Sequence, residues 1–109
     1  MNRRHTRDEY NSKLLKELAI SVELGEPTDN IKMLFTDLAR DESETERYDF
    51  VSDEYKLELV VKGYKKCLDY ITKFNPERGT RPVMYFIIVL RSTFIRMIHK
   101  KHKEKKDGK

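Results

Sequence analysis

The sequence predicts an all-α protein: a compact helical bundle of about four helices with a basic C-terminal tail. Three observations carry that prediction. Apolar residues recur at three- and four-residue spacing in four separate segments. Capping and breaking residues bound those segments, among them Gly25, Pro27, Thr28, Ser52, Pro76, Gly79 and Pro82. The length, 109 residues, suits a single domain with tails. The expected organisation is a flexible N-terminus over 1–10, one helical domain over 11–102, and a basic tail over 103–109.

The first helix is expected over Asn11–Leu24, where Leu14, Leu15, Leu18, Ala19 and Val22 fall at helical spacing. Asn11 or Ser12 would cap it, and Gly25 with Pro27 would end it. The second begins near Thr28, a good N-cap, with Ile31, Leu34, Phe35, Leu38 and Ala39 on one face. Arg40–Phe50, RDESETERYDF, is either a charged continuation of that helix or a loop whose Tyr48 and Phe50 fold back onto the core. The third starts at a Ser52 or Asp53 cap and reaches about Lys73. Its apolar face is Leu57, Val60, Val61, Tyr64, Leu68 and Ile71. Gly63 interrupts it at a cost of about 1 kcal/mol relative to alanine, which marks close packing or close approach by something else.

Phe74–Arg81 is a turn, with Thr80 as a candidate N-cap for the last helix and Pro82 in its first turn. The block VMYFIIVL, Val83–Leu90, is rich in β-branched and aromatic residues and by itself fits a buried strand or a core helix. The residues beyond Leu90 decide between the two. Val83, Phe86, Ile87, Leu90, Phe94, Met97 and Ile98 continue one 3.6-residue stripe, so the expectation is a helix over Pro82–His102.

Charge is unevenly spread. Residues 1–55 hold 8 Lys and Arg against 14 Asp and Glu, and residues 56–109 hold 15 against 5, within a whole-chain net charge of +4. An acidic half joined to a basic half suggests two partner surfaces, the basic one suited to phosphate. A lone cysteine, Cys67, makes neither an intrachain disulfide nor a metal site, and suits a reducing cytosol. The N-terminus has no apolar run of the signal-peptide kind, and no unbroken apolar stretch approaches 18 residues, so no membrane partner is expected.

Enzyme chemistry has no signature here. The glycines at 25, 63, 79 and 108 form no phosphate-cradling loop. No serine or cysteine nucleophile has a histidine partner at a telling position. His99 and His102 are spaced to share a metal, but no third ligand lies near, so no metal and no cofactor is expected. The acidic run Asp41–Glu46 reads as a solvated face, without the alternating oxygen ligands and glycine of a calcium loop.

The stretch Glu58–Ile98 carries Glu58-Leu59, Gly63, Lys73-Phe74, Arg78-Gly79, Tyr85 and Arg91 in ungapped order. In this it resembles region 2 of bacterial RNA polymerase sigma factors. The nearest likeness is to the reduced late sigma factors of T-even-like bacteriophages, whose last helix has the same order as Pro82, Tyr85, Phe94 and the basic run His99–Lys105. The strong part covers about 40 residues. Several features depart from the family. Ile88 and Val89 stand where vegetative sigma factors place a Trp pair, and Lys62 replaces the usual acidic residue before the glycine. No region 4 is expected, and the basic stretch KKHKEKKDGK is unlike the acidic-hydrophobic clamp-binding tail of the family.

The resemblance implies a non-enzymatic specificity subunit in a bacterial host cytoplasm. Its third helix would meet the coiled coil of the largest subunit of core RNA polymerase through Glu58, Val61, Lys62, Tyr64, Lys65 and Leu68. Gly63 would permit close approach there. Val61, Tyr64 and Leu68 also fit the core. The last helix would face promoter DNA and help to melt a −10-like element. Arg91, Arg96, Lys100, Lys101 and Lys103 would neutralise phosphates. Ser92 and Ile95 would read the edge of the element. Tyr85 would stack on a flipped base, aided by Phe86, unless its ring belongs to the core. A phage co-activator or a sliding clamp is a further partner the resemblance admits. Two alternatives stand beside it: a small helical adaptor or inhibitor that binds polymerase without opening promoters, and a general basic DNA-binding protein with no polymerase partner.

Overall fold

The computed structural model describes residues 7–107, with side chains over 8–103. Four helices form the bundle: α1 Arg7–Leu24, α2 Asp29–Ser43, α3 Asp53–Asp69 and α4 Pro82–Asp107. Short 3-10 turns at Glu46–Tyr48 and Pro76–Arg78 lie in the connections, and no strand occurs among the described residues. VMYFIIVL is therefore the first part of a helix.

Local chemistry explains most boundaries. Thr28 caps α2, its Oγ1 accepting from the Ile31 N–H at 3.1 Å while donating to Glu17 Oε1 at 2.7 Å. One side chain thus satisfies a helix end and ties α2 to α1. Gly25, at φ +81°, supplies the left-handed residue that ends α1, and its N–H donates to the Ser21 carbonyl at 2.9 Å. Ser52 caps α3, its Oγ accepting from Tyr55 N–H at 3.2 Å. The helix ends at Asp69, four residues short of the expected limit, and residues 70–73 form a turn. Gly79, also at φ +81°, closes the Pro76–Arg78 turn.

Asn11 is not the cap of α1. That helix already begins at Arg7, before the expected start, so Asn11 lies one turn inside it. Its Oδ1 instead accepts from the Val83 N–H of α4 at 2.9 Å. A side chain 72 residues away thus takes up one free donor at the start of α4, where Thr80 was the expected cap. At its other end α4 runs to Asp107, so residues 103–107 extend the helix where a tail was expected. Residues 1–6, within the expected flexible N-terminus, and 108–109 lie outside the described residues.

The core is continuous across all four helices. Leu14 and Leu18 from α1, Ile31, Phe35 and Leu38 from α2, Leu59 and Cys67 from α3, and Val83, Phe86, Leu90 and Phe94 from α4 are buried together. The expected α4 stripe is the buried one, with Met97 and Ile98 half-covered at its end. By length and composition alone Pro82–Lys103 is apolar enough to cross a membrane. Its Val83, Phe86, Leu90 and Phe94 are the core of the bundle.

α3 packs against both α2 and α4, and Gly63 sits at its contact with α4. A Cβ there would lie 2.7 Å from Leu90 Cδ2 and 2.7 Å from Phe94 Cε1, both on wholly buried side chains. The close approach that Gly63 signals is therefore made by the chain's own helix. Gly63→Ala gains about 1 kcal/mol in helix propensity but overpacks a site where two core side chains must move. The expected net result is a loss of about 1–2 kcal/mol, read as a lower urea midpoint with unchanged helical signal. An increased midpoint would show that Leu90 and Phe94 relax freely.

Cys67 lies in the same layer, and burial pushes its thiol from 9.0 up to about 12. Burial, then the Glu42 carboxylate, pushes the Tyr48 phenol above its ordinary value as well. Both groups are held protonated in the fold and lose their protons more readily in the unfolded chain. Their contribution to stability is complete below about pH 9 and falls as pH rises toward 12. Thermal melts from pH 8 to 11 should show a declining midpoint. Labelling of Cys67 by an alkylating reagent at pH 8 should require denaturant.

Candidate functional site

Two grooves lined by residues of α3 and α4 gather most of the expected site residues. The first, about 720 Å³, is lined by Tyr55, Leu57, Glu58, Val61, Lys62 and Lys65 of α3 and by Met97, Lys100 and Lys101 of α4. It brings Glu58, Val61, Lys62 and Lys65 together on the outer face of α3. Tyr64 and Leu68 turn inward and pack, half-buried, against the core. They do not line this groove.

The second groove, about 430 Å³, is lined by Lys66 of α3, by Tyr70 just past its end, by Thr80, and by Tyr85, Ile88, Val89, Ser92, Thr93 and Arg96 of α4. Tyr85 is half-buried within an aromatic cluster. Its ring lies edge-on to Phe74 at 5.1 Å and to Phe86 at 5.0 Å, and tilted to Tyr70 at 6.4 Å. Lys73 Nζ stands 4.7 Å from the centroid of the Tyr70 ring. The groove thus sets an aromatic wall beside the cations of Lys66 and Arg96. That combination suits a flat, unstacked base with its phosphate close by. Lys66 and Tyr70 were not among the expected site residues. Their i, i+4 spacing sets Tyr70, the C-cap of α3, one turn beyond Lys66, but which face meets α4 follows from the packing.

Phe86 has to be removed from the DNA-contact set. It is wholly buried, with its ring 4.7 Å from Phe35 of α2 and 6.1 Å from Phe74. One residue along a helix is a rotation of about 100°, so Tyr85 reaches the groove and Phe86 the core. Val89 is also buried, leaving Ile88 as the one exposed side chain at the Trp-pair positions. Ser92, Ile95, Arg96, Lys100, Lys101 and Lys103 are exposed, with Ile95 and Lys103 outside both grooves.

Arg91 has a structural partner. Its Nε donates to Glu42 Oε2 at 3.1 Å, and the same oxygen accepts from Arg47 Nη1 at 3.3 Å and from the Tyr48 hydroxyl at 2.9 Å. Glu42 is only 4% exposed, whereas both arginine side chains are close to half-exposed. The expected solvated face over Asp41–Glu46 therefore fails at Glu42, which is a buried carboxylate with three donors on one oxygen. Its neighbours Asp41 and Glu44 are exposed, as expected. The 3-10 turn at Glu46–Tyr48 folds Tyr48 back, where its ring meets Phe94 edge-on at 5.4 Å. Phe50 does not follow it and stays 74% exposed. With its Nε engaged, Arg91 keeps its terminal nitrogens for other contacts.

No group of three or more His, Cys, Asp or Glu side chains that could hold a metal occurs among the described residues, and His99 and His102 are both exposed. No family model, no curated protein and no solved structure matches the chain.

Proposed function

We propose that the chain is a phage-type late sigma factor, which binds bacterial core RNA polymerase through α3 and directs recognition and melting of a −10-like promoter element through α4. The observation that carries this reading is the second groove. Tyr85, Ser92 and Arg96, three positions to which the resemblance gives base stacking, edge reading and phosphate contact, line it together. Two positive side chains beside an aromatic wall are chemically suited to hold an extruded base and its backbone. Glu58 and Val61, which the resemblance gives to polymerase, line the first groove and not the second.

The test mixes the protein with bacterial core polymerase and a template carrying an AT-rich −10-like site, and maps transcript starts. Starts at defined positions are expected. One specific observation favours the adaptor or inhibitor alternative: with Val89 buried, the helix offers Ile88 alone as a wedge at the Trp-pair positions. Binding to core without defined starts would establish that alternative, and no association with core would sink both.

Glu58→Lys separates the polymerase surface from the fold. Glu58 is exposed, so the substitution leaves the core untouched. Reversing a charge that meets an arginine of the partner is expected to weaken core binding by roughly tenfold to a hundredfold, with an unchanged thermal midpoint. Unchanged affinity would take Glu58 out of the interface.

A further inference from the structure

The first groove unites residues that the sequence gives to two different partners. Lys100 and Lys101 were expected on DNA, yet they line the same groove as Glu58, Lys62 and Lys65. Its apolar part is exposed: Leu57 is 68% and Val61 54% accessible, one helical turn apart, with Met97 across from them on α4. A phosphodiester backbone offers these side chains nothing to pack on. The apolar ridge of an amphipathic helix does, as in helix-in-groove docking. Lys101 is also drawn toward the α3 side of the groove. Its Nζ lies 4.1 Å from the centroid of the Tyr55 ring, and the Tyr55 hydroxyl donates to the Met97 carbonyl at 3.1 Å.

Charge identifies the occupant. Four lysines and one glutamate surround the apolar floor. A helix that presents carboxylates beside its ridge pairs with the lysines, and one cation on it meets Glu58. We propose that Lys100 and Lys101 dock an acidic-flanked, apolar-ridged helix of the partner protein and are not DNA contacts. This rests on the polymerase-binding reading and adds the charge of the partner's face to it.

The experiment uses the full chain in two titrations, one with bacterial core RNA polymerase and one with duplex DNA alone over a range of salt. For the double variant Lys100→Gln, Lys101→Gln, core affinity should fall roughly tenfold, while the salt slope of DNA binding keeps its wild-type value. A core affinity within about twofold of wild type, with a DNA salt slope lower by about two, would return both lysines to DNA and overturn the proposal. Leu57→Glu gives an independent arm on an exposed residue. It should weaken core binding by roughly tenfold and leave DNA binding alone. Unchanged core affinity for Leu57→Glu would also overturn the proposal. If the wild-type chain fails to bind core at all, the polymerase reading itself falls and takes the proposal with it. That failure shows before any variant is made, so the two are distinguishable.

Discussion

Phe86→Ala should unfold much of the protein under conditions where the wild type is fully folded. The side chain is wholly buried, and its ring ties α4 to Phe35 of α2 at 4.7 Å and to Phe74 of the α3–α4 turn at 6.1 Å. Truncating a buried phenylalanine costs about 3–5 kcal/mol, from lost transfer energy and the cavity left behind. Small domains have only about 5–15 kcal/mol in total. A fall in melting temperature of roughly 15–25 °C is expected at this chain length. Phe86→Leu, which keeps most of the volume, should lose far less. A DNA-contact role predicts the reverse: a normal melting curve for the alanine variant and weakened DNA binding. Circular dichroism melts with a parallel DNA titration separate the two, and a midpoint within a few degrees of wild type would restore Phe86 to the surface.

That contrast shows what the sequence made legible. Phe86 lies on the stripe Val83, Phe86, Leu90, Phe94, and the stripe is the buried one. Periodicity alone was sufficient to place it. Its aromatic character beside Tyr85 pulled it toward DNA, although a residue one step off along a helix faces elsewhere. The caps at Thr28 and Ser52 were readable because their chemistry is local, a side-chain oxygen three residues before the N–H it accepts. Asn11 was misread because its partner is Val83, a contact that exists only once α1 and α4 have packed.

Glu42 marks the same boundary more sharply. Within an acidic run it looks like its neighbours, and only its spacing, which continues the buried Ile31, Phe35, Leu38 stripe of α2, separates it from Glu44. It is buried because the turn after α2 brings Tyr48 and Arg47 back over it, and α4 supplies Arg91. Gly63 was legible as a site of close approach, but the approaching group is Leu90 and Phe94 of this chain. Of the residues lining the two grooves, the sequence supplied half as site residues, and helix packing decided how they are sorted. Lys66 and Tyr70 join Tyr85, and Lys100 and Lys101 join Glu58.

Tyr85→Leu is the second large effect expected, and it falls on function more than on stability. Tyr85 is half-buried, with its ring edge-on to Phe74 at 5.1 Å and lining the groove that holds Ser92 and Arg96. Leucine keeps much of the packing volume and removes the aromatic face. If a base stacks there, the loss of about 1–3 kcal/mol of stacking should slow promoter opening by roughly fivefold to a hundredfold, with polymerase binding retained. Tyr85→Phe, which keeps the ring, should open at close to the wild-type rate. The two substitutions therefore split by aromaticity and not by size, a pattern that packing alone does not produce. If instead Tyr85 only closes the aromatic cluster, the leucine variant should open promoters normally below its melting temperature. A shared modest loss of stability in both variants would then account for everything seen. Opening kinetics measured well below the melting temperature, on a duplex template and on one with the −10-like region already unpaired, decide between them. A stacking defect persists on the duplex and shrinks on the pre-melted template, since there the cost of extruding the base has been removed.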